Sequence, residues 1–415
     1  MGRHETVRTP QLGERIALYA CLTALTAFSI DAMLPGLPLI ETALAPSPPL
    51  STQHVISLFI FGMALGELVL GPVSDATGRK PALLAGLALY GLGTLLAVSA
   101  GSLETLVCAR VLQGIGVAGP KIATRAMIRD QFAGAQMARI LSLIFTLFIL
   151  VPLLAPWLGQ TIMMAFGWRS LFVLSLALAL MLGLWLALRH PETLDPASRI
   201  PLRPTLLLAN GRRILGHRRV SSLIVATGLV FGAQLFFLST AADLFAEVYG
   251  ISEGLPLVLA LFSAGLGLAS FANARLVQRL GSEPITRRAF QGLGATGLMM
   301  LIASFGPDGR PSLPPFLALG LAAFFCIGLL FGNLNALAMQ PLGRLAGLGS
   351  SIVASGSSLI ATLFAVALGA ITRATPTVLA AAFTLAGIGG LLLLEAGRRD
   401  GSSPAEPIGE KPYRR

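Results

Sequence analysis

The chain has 415 residues, of which 54% are hydrophobic and only 12% charged, and its mean hydropathy is +0.78. Soluble domains carry roughly 25% charged residues, so the composition excludes the string of soluble domains that length alone would suggest. The net charge of +11 falls in alternate connections between apolar runs, which excludes a nucleic-acid footprint and marks membrane topology instead.

A polar segment, 1–14, precedes the first apolar run. The runs cover residues 15–37, 54–73, 81–100, 104–124, 139–164, 169–189, 221–242, 253–274, 287–305, 315–340, 348–372 and 376–396. Each is close to the roughly 20 residues that cross a bilayer as a helix. A cleaved signal peptide does not fit, because the first run continues past Asp31 and further spans follow. The fold class expected is an all-α membrane protein with twelve transmembrane helices in two six-helix bundles. Arg3, Arg8, Arg15, Arg79, Lys80, Lys121, Arg125, Arg129 and Arg139 collect on one side, and later connections continue the pattern. Arg169, Arg310 and Arg373 fall on the other. This asymmetry puts both termini in the cytoplasm.

The longest polar stretch, His190–Val220, reads either as a linker between two bundles or as a polybasic segment for anionic lipid. The expected division is an N-terminal tail (1–14), a first bundle (15–189), the linker (190–220), a second bundle (221–397) and a polar, disordered tail (398–415). Gly78 and Pro81 after span two correspond to Gly281 and Pro284 after span eight, a faint internal repeat. Cys21, Cys108 and Cys326 all lie in apolar runs, with no disulfide or metal spacing.

An ionisable side chain within the hydrocarbon region is costly and points to function. Asp31, Glu67 and Arg110 qualify, and no His lies mid-span, so any proton coupling runs through carboxylates. Asp31 and Arg110 lie at similar depth, with Gln113 one turn beyond Arg110 on the same face. An Asp31–Arg110 coupling is therefore geometrically open, either as proton chemistry or as a buried ion pair joining spans one and four. Glu67 reads equally as a second protonation site or as a neutral carboxylic acid donating a hydrogen bond. In the second half Gln234, Asn333 and Asn335 lie among Phe231, Phe237 and other aromatics. That composition suits an apolar ligand cavity, and equally a packed core. Nucleotide-binding loops, metal-spaced clusters and catalytic triads are missing from the sequence, so no enzyme and no cofactor is expected. Uphill transport would draw on an ion gradient.

The stretch Gly71-Pro-Val-Ser-Asp75-Ala-Thr-Gly78-Arg79-Lys80-Pro81 reads as a tight loop between spans two and three, and resembles the signature loop of the major facilitator superfamily. The resemblance implies a conformational latch of Gly71, Asp75, Gly78, Arg79, Lys80 and Asp130. In it Asp75 meets the start of span eleven around Gly347–Ser351, and Arg79 meets Asp130; a helix N-terminus favours such an anion. A plain orientation signal would account for Arg79 and Lys80 only.

Four further motifs resemble the Bcr/CflA-type drug:proton antiporter branch. They are Ser29-Ile-Asp31-Ala-Met-Leu-Pro35-Gly-Leu-Pro38, Arg110-Val-Leu-Gln113-Gly114-Ile-Gly116, Pro152-Leu-Leu-Ala-Pro156-Trp-Leu-Gly159 and Ala338-Met-Gln-Pro341-Leu-Gly-Arg344. The chain departs from that branch at Glu67, usually Gln, and at Met33, usually Tyr, which joins Gln234, Phe237, Asn333 and Asn335 as a cavity candidate. The resemblance implies that Asp31 binds protons or cationic substrate and that Arg110 tunes the transfer. It implies an antiporter-type motif at Pro152, Pro156 and Gly159, with Gly265 and Gly267 of span eight as packing partners. The function expected is proton-coupled export of lipophilic drugs across the cytoplasmic (inner) membrane by alternating access, driven by the proton gradient. Proton symport of a small solute, or a non-transporting sensor or lipid-interacting protein, are the alternatives. The partners expected are a small lipophilic substrate, protons and the bilayer, with no nucleic acid, in a monomer.

Overall fold

The computed structural model describes residues 11–45, 50–132, 134–251, 253–305, 310–371 and 375–399. The first ten residues, Arg373 and the tail from residue 400 lie outside the described residues. With no water in a bilayer core, apolar runs must satisfy their backbone groups internally, and these do so as helices. In chain order they are α1 (Leu12–Asp31), α2 (Leu37–Leu44), α3 (Gln53–Thr77), α4 (Arg79–Val98), α5 (Leu103–Gln131), α6 (Gly134–Phe166) and α7 (Arg169–Arg189). After these come α8 (Pro204–Gly216), α9 (Arg218–Asp243), α10 (Leu255–Leu280), α11 (Ser282–Ala303), α12 (Leu313–Met339), α13 (Ala346–Ile371) and α14 (Pro376–Arg399).

Among the described residues, ten helical segments are long and apolar enough to cross a membrane, with α1 and α2 counted as one. The two other long helices are α6 and α11. The first turns of α11 carry Glu283 and Arg287, which are neutralised at the helix end by Arg219 at 3.2 Å and Glu395 at 2.7 Å. Helices α3, α4 and α5 pack together, as do α9, α11, α13 and α14, and α3 meets α13 while α6 meets α10.

Three local features go beyond the plain apolar runs. The first apolar run is not one helix: it breaks after Asp31 and resumes at Leu37, because Pro35 and Pro38 remove the N–H groups that would continue it. The stretch between spans two and three is hardly a loop, since α3 runs to Thr77 and α4 starts at Arg79. Gly78 alone makes the reversal, at φ +119°, and Gly281 makes the corresponding one between α10 and α11 at φ +76°, conformations that side chains with a Cβ resist. Finally, the 190–220 stretch contains helix α8, whose Ile214 is buried while Leu208 and Leu215 are exposed.

Candidate functional site

The break in α1 leaves work for a buried side chain. At the break Met33 N–H turns back to Ile30 O at 3.2 Å, so Ser29 O loses the amide that a continuing helix would supply. Arg110 supplies the donor instead. Its guanidinium reaches Ser29 O at 2.9 Å, Val55 O at 3.0 Å and Gln113 Oε1 at 2.5 Å, and stacks 4.1 Å from the Phe59 ring centre. Gln113 in turn donates to Thr94 Oγ1 at 2.8 Å, and the Tyr90 hydroxyl sits 2.7 Å from Ser29 Oγ. Five side chains from α1, α4 and α5 thus form one buried network ending two residues before Asp31. Fully satisfied networks of this kind fix one geometry.

Asp31 is not ion-paired with Arg110. It is 8% exposed and makes no hydrogen bond or ion pair among the described residues. The guanidinium is committed to carbonyl oxygens, so its link to Asp31 runs through the backbone of the break. Met33 is 3% exposed and packed inside that break, not lining open space as its candidacy had it.

Helix α6 seats against the same break. A Cβ on Gly159 would collide with Ala32 O, and one on Gly36 with the Met163 side chain. Pro156 has no N–H for the carbonyl one turn earlier, Pro152 O, and Ser263 Oγ of α10 donates there at 3.3 Å. Ser263 therefore ties α10 to the kink in α6. Gly265, expected at this seam, packs instead against Leu321 and Phe325 of α12.

Glu67 has a partner that neither sequence reading supplied. It is fully buried, and its Oε1 lies 2.5 Å from Lys121 Nζ. Ser358 Oγ of α13 donates to Oε2 at 3.4 Å. Lys121, counted from sequence among the cations of one side near the end of span four, is well inside α5, which continues through Pro120 to Gln131.

From Glu67 the α3–α13 seam descends in turns of α3. A Cβ on Gly71 would strike Ser351 Oγ, and one on Gly347 would stand 3.3 Å from Asp75 Oδ2. Arg79 bonds Asp130 Oδ2 at 2.9 Å, Ser74 Oγ at 3.2 Å, and Asp75. Lys80 does something else, donating to Ala187 O at 2.8 Å and His190 O at 2.7 Å at the end of α7. Sequence reasoning missed Glu192, which accepts from the N–H groups of Arg79 at 3.0 Å and Lys80 at 3.1 Å. It caps α4 as an anion at a helix N-terminus, and it occupies the space a Cβ on Gly78 would need.

In the second half, Phe237 is a core residue: it is fully buried, with ring centres 5.2 Å from Phe262 and 5.1 Å from Phe324. Its ring is taken up by aromatic neighbours in this arrangement. Asn333 is also structural, donating to Asn273 Oδ1 at 2.7 Å and Leu329 O at 2.8 Å. Gln234 is partly exposed and Asn335 exposed, and neither has a hydrogen-bond partner among the described residues.

The comparisons agree with this architecture. A family model described as Major Facilitator Superfamily matches residues 19–365. A bicyclomycin resistance protein homolog of Haemophilus influenzae is 27% identical over 338 residues, covering 80% of this chain and 83% of the relative. The multidrug resistance protein MdtL of Salmonella heidelberg is 30% identical over 331 residues, covering 80% and 81%. The crystal structure of a D-xylose–proton symporter superposes with a TM-score of 0.72 at 14% identity, over 94% of this chain and 97% of the other; that likeness concerns the fold alone.

Proposed function

We propose that this chain, which belongs to the major facilitator superfamily, exports lipophilic small molecules across the cytoplasmic membrane in exchange for protons. Both termini lie on the cytoplasmic side. Asp31 is the carboxylate that proton and substrate share. The observation that carries the reading is its setting: a carboxylate without a partner among the described residues, slightly accessible, at a break within a membrane-crossing segment. Arg110 is a positioning residue that holds the break open through Ser29 O. The relatives named for bicyclomycin and multidrug resistance support export over uptake.

The cycle follows from charge. Protonated Asp31 is neutral and tolerates the closed, dry arrangement; loss of the proton creates a charge that a cationic or polarisable substrate group stabilises. Proton and substrate then compete, and each releases the other on opposite sides as the halves rock along the α3–α13 and α6–α10 seams. The test is dye accumulation in cells stripped of their own pumps. Wild type should lower accumulation, a protonophore should abolish the effect, and Asp31→Asn should behave as empty cells. Accumulation equal to empty cells with wild type would refute export.

A further inference from the structure

The recess around Glu67 holds more positive charge than negative. Arg125 lies one turn beyond Lys121 on α5, and its side chain is accessible although helices surround it. Among the described residues it makes no hydrogen bond or ion pair, and Glu67 is near enough to attract it. Glu67 is already bound to Lys121 at 2.5 Å and takes the Ser358 hydroxyl at 3.4 Å. Two cations therefore share one carboxylate, and a positive charge is left over among apolar helices. Met63 Sδ, 3.5 Å from Lys121 Nζ, gives the recess a soft apolar wall.

We infer that Lys121 and Arg125 form a binding site for the acidic group of a lipophilic anion, with Glu67 as the resident counter-ion that holds Lys121 in place. A monoanion brings the cluster to neutrality without displacing Glu67, and gives the accessible Arg125 guanidinium a partner that Glu67, already held by Lys121, does not supply. The guanidinium offers two parallel N–H donors that match a carboxylate, and the Met63 wall receives an apolar body. Ser358 belongs to α13, so the site adjoins the seam that must slide during transport. The inference rests on the export reading for its purpose, and narrows the substrates to include weak organic acids.

The experiment measures binding of 1-pyrenebutyric acid and its methyl ester to purified full-length protein in lipid discs, corrected with empty discs. The probes share an apolar body and differ by one negative charge. Wild type should bind the acid at least roughly tenfold more tightly, the range of one charge-assisted contact, and added salt should erode the advantage. Arg125→Met should remove most of the advantage and leave the ester unchanged, while Arg125→Lys restores part of it. Lys121→Met combined with Glu67→Met, which keeps the buried charges balanced, should also remove it. Equal binding of acid and ester by wild type, no binding of the acid, or an acid preference that survives in both Met variants would overturn the proposal. Binding is read without a proton gradient, so failure of proton-driven export would be seen separately.

Discussion

Replacing Arg110 by Met keeps a long side chain but removes the donors that hold the α1 break. Ser29 O then has no donor, since the Met33 amide is turned to Ile30 O, and Gln113 Oε1 loses its 2.5 Å partner. Each buried acceptor left unsatisfied costs about 1–3 kcal/mol, and the lost stacking on Phe59 adds roughly 1 kcal/mol. Val55 O is discounted, because it keeps a helical amide. The expected loss is therefore on the order of 3–7 kcal/mol, a large share of the ~5–15 kcal/mol that typically separates folded from unfolded protein. Arg110→Lys should fall between the two, since one ammonium cannot span Ser29 O, Val55 O and Gln113 as the planar fork does. The assay is unfolding of the purified protein in mixed micelles by SDS titration. A loss below about 1 kcal/mol for Arg110→Met, or a Lys variant as stable as wild type, would refute the carbonyl-clamp role.

Gly159→Val should abolish transport while Gly13→Ala, outside any close contact, should not; the Cβ at 159 meets Ala32 O and must push α6 off the break. Normal export by Gly159→Val would contradict that packing. Asp75→Ala frees Arg79 from one of its two carboxylates and loosens the start of α13, so labelling of cysteines introduced into the inner cavity should rise; unchanged labelling would remove the latch. His190, buried against Tyr19 with ring centres 5.2 Å apart, has its pKa pushed down to about 4, by burial first and then by Arg15. The folded state thus favours the neutral ring, so its contribution to stability is present above about pH 6.5 and is lost as pH falls toward 4. His190→Phe should flatten that part of the unfolding profile, and an unaltered profile would count against it.

Much of this was legible because bilayer physics leaves strong marks. Apolar runs gave the long helices, Pro35 and Pro38 marked where α1 would falter, and the repeated Gly78 and Gly281 reversals were visible as spacing. What was not legible depended on which helices touch. Lys121 was counted only as one of the cations on one side, near the end of the run 104–124, and only the pairing of α3 with α5 brings it to Glu67. Arg110 and Asp31 were rightly placed at one depth, but depth does not say which acceptor a guanidinium chooses, and a broken helix offers carbonyls. Glu192 carries no periodic signal in a proline-rich stretch, and its role exists only once α4 begins beside it. For Phe237 and Asn333, composition could not separate a cavity wall from a core or a helix tie.

The most direct measurement of the central claim is proton release on substrate binding, followed with a pH indicator in weakly buffered, purified protein near neutral pH. If Asp31 is shared by proton and substrate, adding a transported cationic dye to wild type releases protons in proportion to bound dye, and Asp31→Asn binds dye without release. Dye binding by wild type with no proton release, or equal release from Asp31→Asn, would contradict the account.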